Sequence, residues 1–250
     1  MQAIISDLHS NIEALSAVLL DIKSRNLRDV ICLGDVIGYG PNPKECIDVS
    51  DKLRLCLMGN HEEAVLHVVQ AQGFNRKASS AVRWTADQFD MLGADKNANA
   101  QRWNFLGGLP RSYRSDGVLL VHGSPTDPTR EYVHISDVRN PNKMERVFSL
   151  IEHVCFVGHT HVAGAWTEDL NYYSPETLDY VYPIDERKVI INVGSVGQPR
   201  DFDNRACYAI FDGETIRWVR VPYDYEKTIE KIHSIDMLDN SLGDRLLEGR

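Results

Sequence analysis

Asp7-x-His9, Gly34-Asp35, Gly59-Asn60-His61-Glu62, His122-Gly123 and Gly158-His159-Thr160-His161 follow one another along the first two thirds of the chain. They offer carboxylates, imidazoles and an amide oxygen, the donors that borderline divalent cations take. Two such cations ~3.5–4 Å apart, bridged by one carboxylate, draw a nucleophile from water at neutral pH and clamp phosphoryl oxygens. Composition alone gives roughly 0.8 Asp-x-His pairs in such a chain, against about 0.02 Gly-His-x-His. Taken singly, each donor reads as a strand-end turn residue or a hydrogen-bonded core histidine. Five motifs in one order read as a site. His67, His134, His153 and His233 match no motif and read as surface or core histidines.

Donors so far apart in sequence must be carried to one place by strands. Apolar or β-branched runs at 2–7, 30–35, 53–60, 118–124 and 153–161 each end in Gly, Asp, Asn or His, as buried strands do that deliver polar residues at their C-terminal ends. In an open α/β sheet those ends share one crevice. Further strands are expected at 188–196, 206–212 and 215–221, the last two joined by a hairpin through Asp212-Gly213-Glu214. Ile12, Leu15, Val18, Leu19 and Ile22 define a helical face after the potential caps Ser10 and Asn11. Helices are also expected over about 75–106, with Trp84, Phe89, Trp103 and Phe105 as core anchors, and over 141–152. The block 62–110 then covers one flank of the sheet. Segment 168–187 reads as a surface loop or β excursion and a candidate contact between copies, and 224–250 as an amphipathic helix with a loosely specified tail.

The 250 residues carry a net charge of −9 with no basic run, which disfavours long nucleic acid and anionic membrane as partners. An anionic substrate must then be held by a local cationic device. Five cysteines without CxxC spacing, three of them inside apolar runs, read as buried thiols of a reducing compartment. With no basic, apolar leader and no apolar run near ~20 residues, the cytoplasm is the expected location.

In order and residue type the five motifs resemble those of the calcineurin-like metallophosphoesterase superfamily. The blocks SDLHSNIEAL, GDVIGYGPNP, VHGSPTDPTREY and NVGSVGQPRD resemble its small bacterial phosphoesterases and phosphodiesterases, to about residue 220. The resemblance implies an α/β fold, a four-layer α/β/β/α sandwich of two mixed sheets flanked by helices, as one domain over 1–250. It implies two divalent or mixed-valence ions, manganese or iron first, with zinc, nickel or magnesium admissible. Asp7, His9, Asp35 and His161 would hold one metal, and Asn60, His122 and His159 the other with the same Asp35 bridging. His61 would stabilise or protonate the departing oxygen, and a metal-bridging hydroxide would attack. Where the serine/threonine phosphatases of the superfamily resemble GDYVDRG, this chain has GDVIGYG, with Gly38 and Tyr39 at the positions of the acid and the arginine. Asn11, Tyr39 and Arg200 are the substrate-binding candidates. The expected activity is phosphodiester hydrolysis of a small nucleotide or metabolite. Alternatives are a phosphomonoesterase or protein phosphatase, a nuclease or dinucleoside polyphosphate hydrolase, and a non-catalytic metal-binding scaffold.

Overall fold

Strand β1 (Gln2–Ile5) is apolar on both faces, as a central strand covered on both sides must be. In the computed structural model, which describes residues 1–67, 75–92 and 94–250, Ala3 and Ile5 point to a helical layer. Ile4 points between two sheets. Strands β2 (Asp29–Cys32) and β3 (Leu55–Cys56) continue the sheet in parallel. On its other side β11 (Ala206–Phe211), β12 (Thr215–Val221) and β9 (Val181–Pro183) are antiparallel, giving the order β3-β2-β1-β11-β12-β9.

The second sheet is built around β5 (Val118–Val121), β6 (Val154–Val157) and β10 (Val189–Asn192), which are mutually parallel. Antiparallel β4 (Ser112–Ser115), β7 (Gly164–Thr167) and β8 (Tyr172–Tyr173) complete the order β4-β5-β6-β10-β7-β8. Between the sheets lie Ile4, Ile31, Leu33, Phe156, Ile191, Ala209 and Trp218. The Trp218 indole keeps its hydrogen bond by donating to the Asn192 carbonyl at 2.8 Å.

Helices α1 (Ile12–Ser24) and α2 (Pro43–Ser50) cover the first sheet through Leu15, Val18, Ile22 and Ile47. Helices α3 (Asn60–Leu66), α4 (Arg76–Asp87) and α5 (Lys96–Gly108) extend that flank through Val65, Val82 and Leu106, with Phe89 added from the turn after α4. Helix α6 (Pro141–Ser149) covers the second sheet through Met144, Val147 and Phe148. The four layers expected from the sequence are present.

Two expectations are corrected and one alternative is decided. The stretch 75–106 is two helices, because the Asp90 carboxylate accepts from the Leu92 amide at 2.8 Å and the Asp90 carbonyl from Asn99 at 2.8 Å, turning the chain between them. Segment 168–187 is the β excursion of the two readings the sequence left open, giving β8 to one sheet and β9 to the other. The C-terminal tail is not loose. Helix α7 (Tyr225–His233) is followed by α8 (Ser241–Glu248), whose Leu242 and Leu246 are buried beside Ala81 and Ile232. All five cysteines are free and buried, and no helix among the described residues is long and apolar enough to cross a membrane.

Candidate metal centre and substrate cleft

The two parallel triplets end on the same edge of the sandwich, and hydrogen bonds lace their loops together. The Asp7 amide donates to Gly34 O (3.0 Å), His9 to Asp35 O (2.9 Å), Gly158 to His122 O (2.9 Å) and Gly197 to Asp7 O (2.9 Å). Asp7, His9, Asp35, His159 and His161 all take the left-handed conformation, with φ between 47° and 64°. Each such non-glycine residue costs roughly 1–2 kcal/mol, a concentration of strain typical of functional sites. Close approach is built in as well. A Cβ on Gly59 would stand 2.1 Å from Asp35 Oδ1.

The seven proposed ligands converge in two groups joined by Asp35. In the first, His9 Nε2 is 3.0 Å from His161 Nε2, 3.8 Å from Asp7 Oδ1 and 3.7 Å from Asp35 Oδ2. His161 Nε2 is 3.2 Å from Asp7 Oδ1. In the second, His122 Nε2 lies 3.3 Å from Asp35 Oδ2, 3.1 Å from Asn60 Oδ1 and 3.1 Å from His159 Nδ1.

This donor set fits cations. Carbonyl oxygens only accept, so His9 Nδ1 donates to Ile37 O (3.2 Å), His161 Nδ1 to Gln198 O (2.5 Å) and His159 Nε2 to Arg130 O (3.1 Å). In the neutral rings the inward nitrogens are then lone pairs, the outer-shell arrangement that orients metal-bound histidines. Two such lone pairs, on His9 and His161, face each other, and Asp7 Oδ1 is buried without a hydrogen-bond partner. A positive charge between them resolves both problems.

Without cations, protons respond to the same field. Burial lowers His122, but Asp35 outweighs it and raises the imidazole to about 9. Burial would raise Asp35, yet His122 and His61 hold it well below the usual carboxylate range. Burial pushes His61 down to about 4 and His159 to about 3, and also lowers His9 and His161, in each of which a neighbouring cation adds to the effect.

His61 stands beside this centre. Its amide donates to Asp35 Oδ1 at 2.9 Å, and its ring packs against His9 and Tyr39 with centroids 4.8 and 4.5 Å away. His61, His9 and Asp35 are close enough to form a ligand group by geometry alone, although His61 was expected from the sequence as a leaving-group residue and not as a ligand. Gly38, at φ +93°, leaves room for the ring, since a Cβ there would lie 2.1 Å from His61 Nδ1.

A cleft of about 290 Å³ opens over Asp35, Asn60, His61, His159 and His161, walled by Tyr39, Arg130, Tyr132 and Arg200. Two of the three substrate candidates thus face it. Arg200 is not spent on its acidic neighbours, because Asp201 pairs with Arg220 and Asp203 with Arg205. Its Nη2 donates to Gln198 Oε1 at 2.9 Å. Asn11 is corrected to a structural role. Its Oδ1 caps α1 at the Ala14 amide (3.1 Å) and accepts from Thr228 (3.0 Å), and its Nδ2 donates to Gly197 O (2.9 Å) and Tyr223 (3.2 Å).

Sequence reasoning assigned no role to Tyr132, which stacks on His159 at 3.7 Å, or to Glu62. The buried Glu62 carboxylate accepts from the amides of Asp35 (2.8 Å), Ile37 (3.1 Å) and Gly59 (2.8 Å) and so ties two ligand loops together. The S/T-x-x-E logic of a capping box, here with Gly59 at the cap, was the available signal for Glu62.

The calcineurin-like phosphoesterase superfamily domain model matches residues 1–215. The chain belongs to that superfamily. It is accordingly a phosphoric ester hydrolase, and divalent metal ions are the cofactors the family implies. An uncharacterized protein of Methanocaldococcus jannaschii is 38% identical, with the alignment covering 100% of this chain and 98% of that one. The crystal structure of a metallophosphoesterase from Sphaerobacter thermophilus is 35% identical, with a TM-score of 0.82 over 100% of this chain and 98% of that one. A hypothetical protein of Pyrococcus horikoshii shares the fold at 16% identity, with a TM-score of 0.76 over 100% of this chain and 99% of that one. Helices α7 and α8 of this phosphoesterase lie beyond the matched residues.

Proposed function

We propose that this chain is a two-metal phosphodiesterase acting on a small nucleotide or metabolite phosphoester in the cytoplasm. Manganese or iron is the expected cation, with zinc, nickel and magnesium chemically admissible. The observation that carries the reading is the convergence of six donors on a seventh, the shared Asp35, with His61 held beside it under a cleft of about 290 Å³. That volume suits a small ligand. The net charge of −9 argues against long nucleic acid.

When bound, the cations supply charge for the phosphoryl oxygens and lower the pKa of water to furnish a nucleophile. Asp7, His9, Asp35 and His161 would hold one and Asn60, His122, His159 and the shared Asp35 the other. His61, fixed through its amide and by Gly38 and Tyr39, would deliver a hydrogen bond or proton to the leaving oxygen. Arg200 supplies a guanidinium at the rim, where it can orient an equatorial phosphoryl oxygen.

The test compares bis-p-nitrophenyl phosphate with p-nitrophenyl phosphate, on chelator-stripped protein before and after adding manganese, beside His61→Ala. Manganese-dependent cleavage that favours the diester and falls at least 100-fold in H61A is the expected result. Turnover of neither ester despite two bound metals per chain overturns the reading, and a preference for the monoester overturns its diesterase part.

A further inference from the structure

Past Tyr39 the catalytic cleft continues into a second hollow. The two share Tyr39, Asn75 and Ala78, and the second is walled by α8, including Ser241 and Arg245. The Arg245 guanidinium lies 4.5 Å from the centre of the Tyr39 ring, and Arg200 approaches the same ring at 5.9 Å from the cleft. Two guanidiniums on one aromatic ring gain cation–π attraction but repel each other. Burial and Arg200 together bring Arg245 down to about 10.

The charges around this hollow are otherwise matched. Lys77 pairs with Asp239 at 3.2 Å, Asp244 accepts from His233 at 2.9 Å, and Glu248 pairs with Arg250 at 2.5 Å. Arg245 has no carboxylate within 4.0 Å among the described residues; its guanidinium shares a hydrogen bond with Tyr39, while its Nε and Nη2 are shielded from solvent without a partner. A guanidinium kept from water and left unpaired is costly unless an anion completes it. Its fork matches phosphate. Helix α8 lies beyond the residues that the domain model matches, so this wall is supplied by the C-terminal segment.

We infer that Arg245, on the far side of Tyr39 from Arg200, forms an anion subsite for a second, non-scissile phosphate of the substrate. The substrate class narrows to phosphodiesters that carry a further phosphate group. This rests on the proposed phosphodiesterase reading for the position of the scissile group, but the binding preference can be measured without turnover.

Thymidine 3′,5′-bisphosphate and thymidine 5′-phosphate are titrated calorimetrically into the full-length, manganese-loaded protein and into Arg245→Gln and Arg245→Lys. The wild type is expected to bind the bisphosphate at least about tenfold more tightly, a preference that falls below about threefold in R245Q and is partly restored in R245K. Thermal melts confirm that the variants are folded, and Arg245→Lys, which keeps the charge but not the fork, carries the test should R245Q not fold, with a reduced bisphosphate preference expected and an unchanged one overturning the inference. Equal binding of the two nucleotides by the wild type, or equal weakening of both in R245Q, overturns the inference. In a parallel assay, loss of the bisphosphate's advantage has no bearing on whether bis-p-nitrophenyl phosphate is cleaved, so failure of the subsite and failure of the diesterase reading are read separately.

Discussion

Replacing Gly38 by alanine tests whether the position of His61, rather than its mere presence, governs turnover. The new Cβ would lie 2.1 Å from His61 Nδ1 and 2.9 Å from Cε1, at a backbone φ of +93°. The left-handed backbone costs the alanine roughly 1–2 kcal/mol. The ring has little freedom to swing, being wedged between His9 and Tyr39 with centroids 4.8 and 4.5 Å away. Restoring an ordinary contact displaces it by on the order of 1 Å, a misplacement that costs ~100-fold in kcat. The backbone strain alone lowers the melting temperature by roughly 2–8 °C for a chain of this size. The three atoms nearest the added Cβ belong to His61, so an unchanged metal content is expected. The assays are manganese-dependent hydrolysis of bis-p-nitrophenyl phosphate, metal content by elemental analysis, and the double variant with H61A. In the H61A background G38A is expected to cost less than about threefold, since the two changes act through one side chain. Full activity in folded G38A, or full additivity with H61A, refutes the reasoning.

Glu62→Gln leaves three backbone amides facing one carbonyl and an NH₂ group. It is expected to lower stability by ~1–3 kcal/mol and metal affinity ~10–100-fold, read by denaturant melts and manganese titration; unchanged affinity counts against its role in holding the ligand loops. Asn11→Ala removes a cap and three further hydrogen bonds, so ~1–2 kcal/mol of stability goes while the KM of the folded enzyme is unmoved, and a raised KM would return Asn11 to the substrate. In chelator-treated protein His9, His61, His159 and His161 all titrate below their ordinary 6.5, so between pH 6.5 and 4.5 the unfolded chain takes up their protons first and stability falls with pH. His122, raised to about 9, already contributes fully below 6.5, and only Glu62, raised to about 7, opposes the loss in that window; a melting temperature that stays flat or rises on acidification contradicts this balance. Chelation is also expected to speed amide exchange at the His9 and His161 loops while leaving the centre of β1 protected, and uniform acceleration would mean that the cations hold the whole fold together.

Most strands buried on both faces were legible: β1, β5, β6, β10, β11 and β12 fall inside the apolar runs that announce them and β2 overlaps its run, beginning one residue earlier, whereas the buried β7 (Gly164–Thr167) was missed because Gly-Ala-Trp-Thr offers no run of large apolar residues. β4 was not legible, because its residues Ser112–Ser115 are all exposed and present no apolar face to read. β8 and β9 are two and three residues long, too short for a period, and are defined by the partner strands β7 and β12. Helix α8 was missed for a related reason. Its apolar face, Leu242 and Leu246, answers Ala81 and Ile232 from elsewhere in the chain, and such a match is invisible in a local window.

The metal donors were legible because their chemistry requires particular side chains at strand ends, while the substrate side was not, because it is a matter of where chains return. Tyr132 reaches the centre by stacking on His159, and Arg245 by lying over Tyr39; neither residue type is rare enough to stand out. Backbone conformation links the two halves. At five of the seven donors the chain turns left-handed immediately beyond its strand, which no propensity would choose. The lacing of Asp7, His9 and Gly158 amides to neighbouring strand ends holds those turns, and Glu62 adds three more bonds from beneath. With the same turn setting the loops' path, Tyr39 at φ 60° is brought against His9 and His61. The strain that aims the metal ligands therefore also sets the aromatic wall on which Arg200 and Arg245 rest, so a substitution at Tyr39 should disturb phosphate recognition and leaving-group chemistry together, whereas G38A, which meets the His61 ring, disturbs the second.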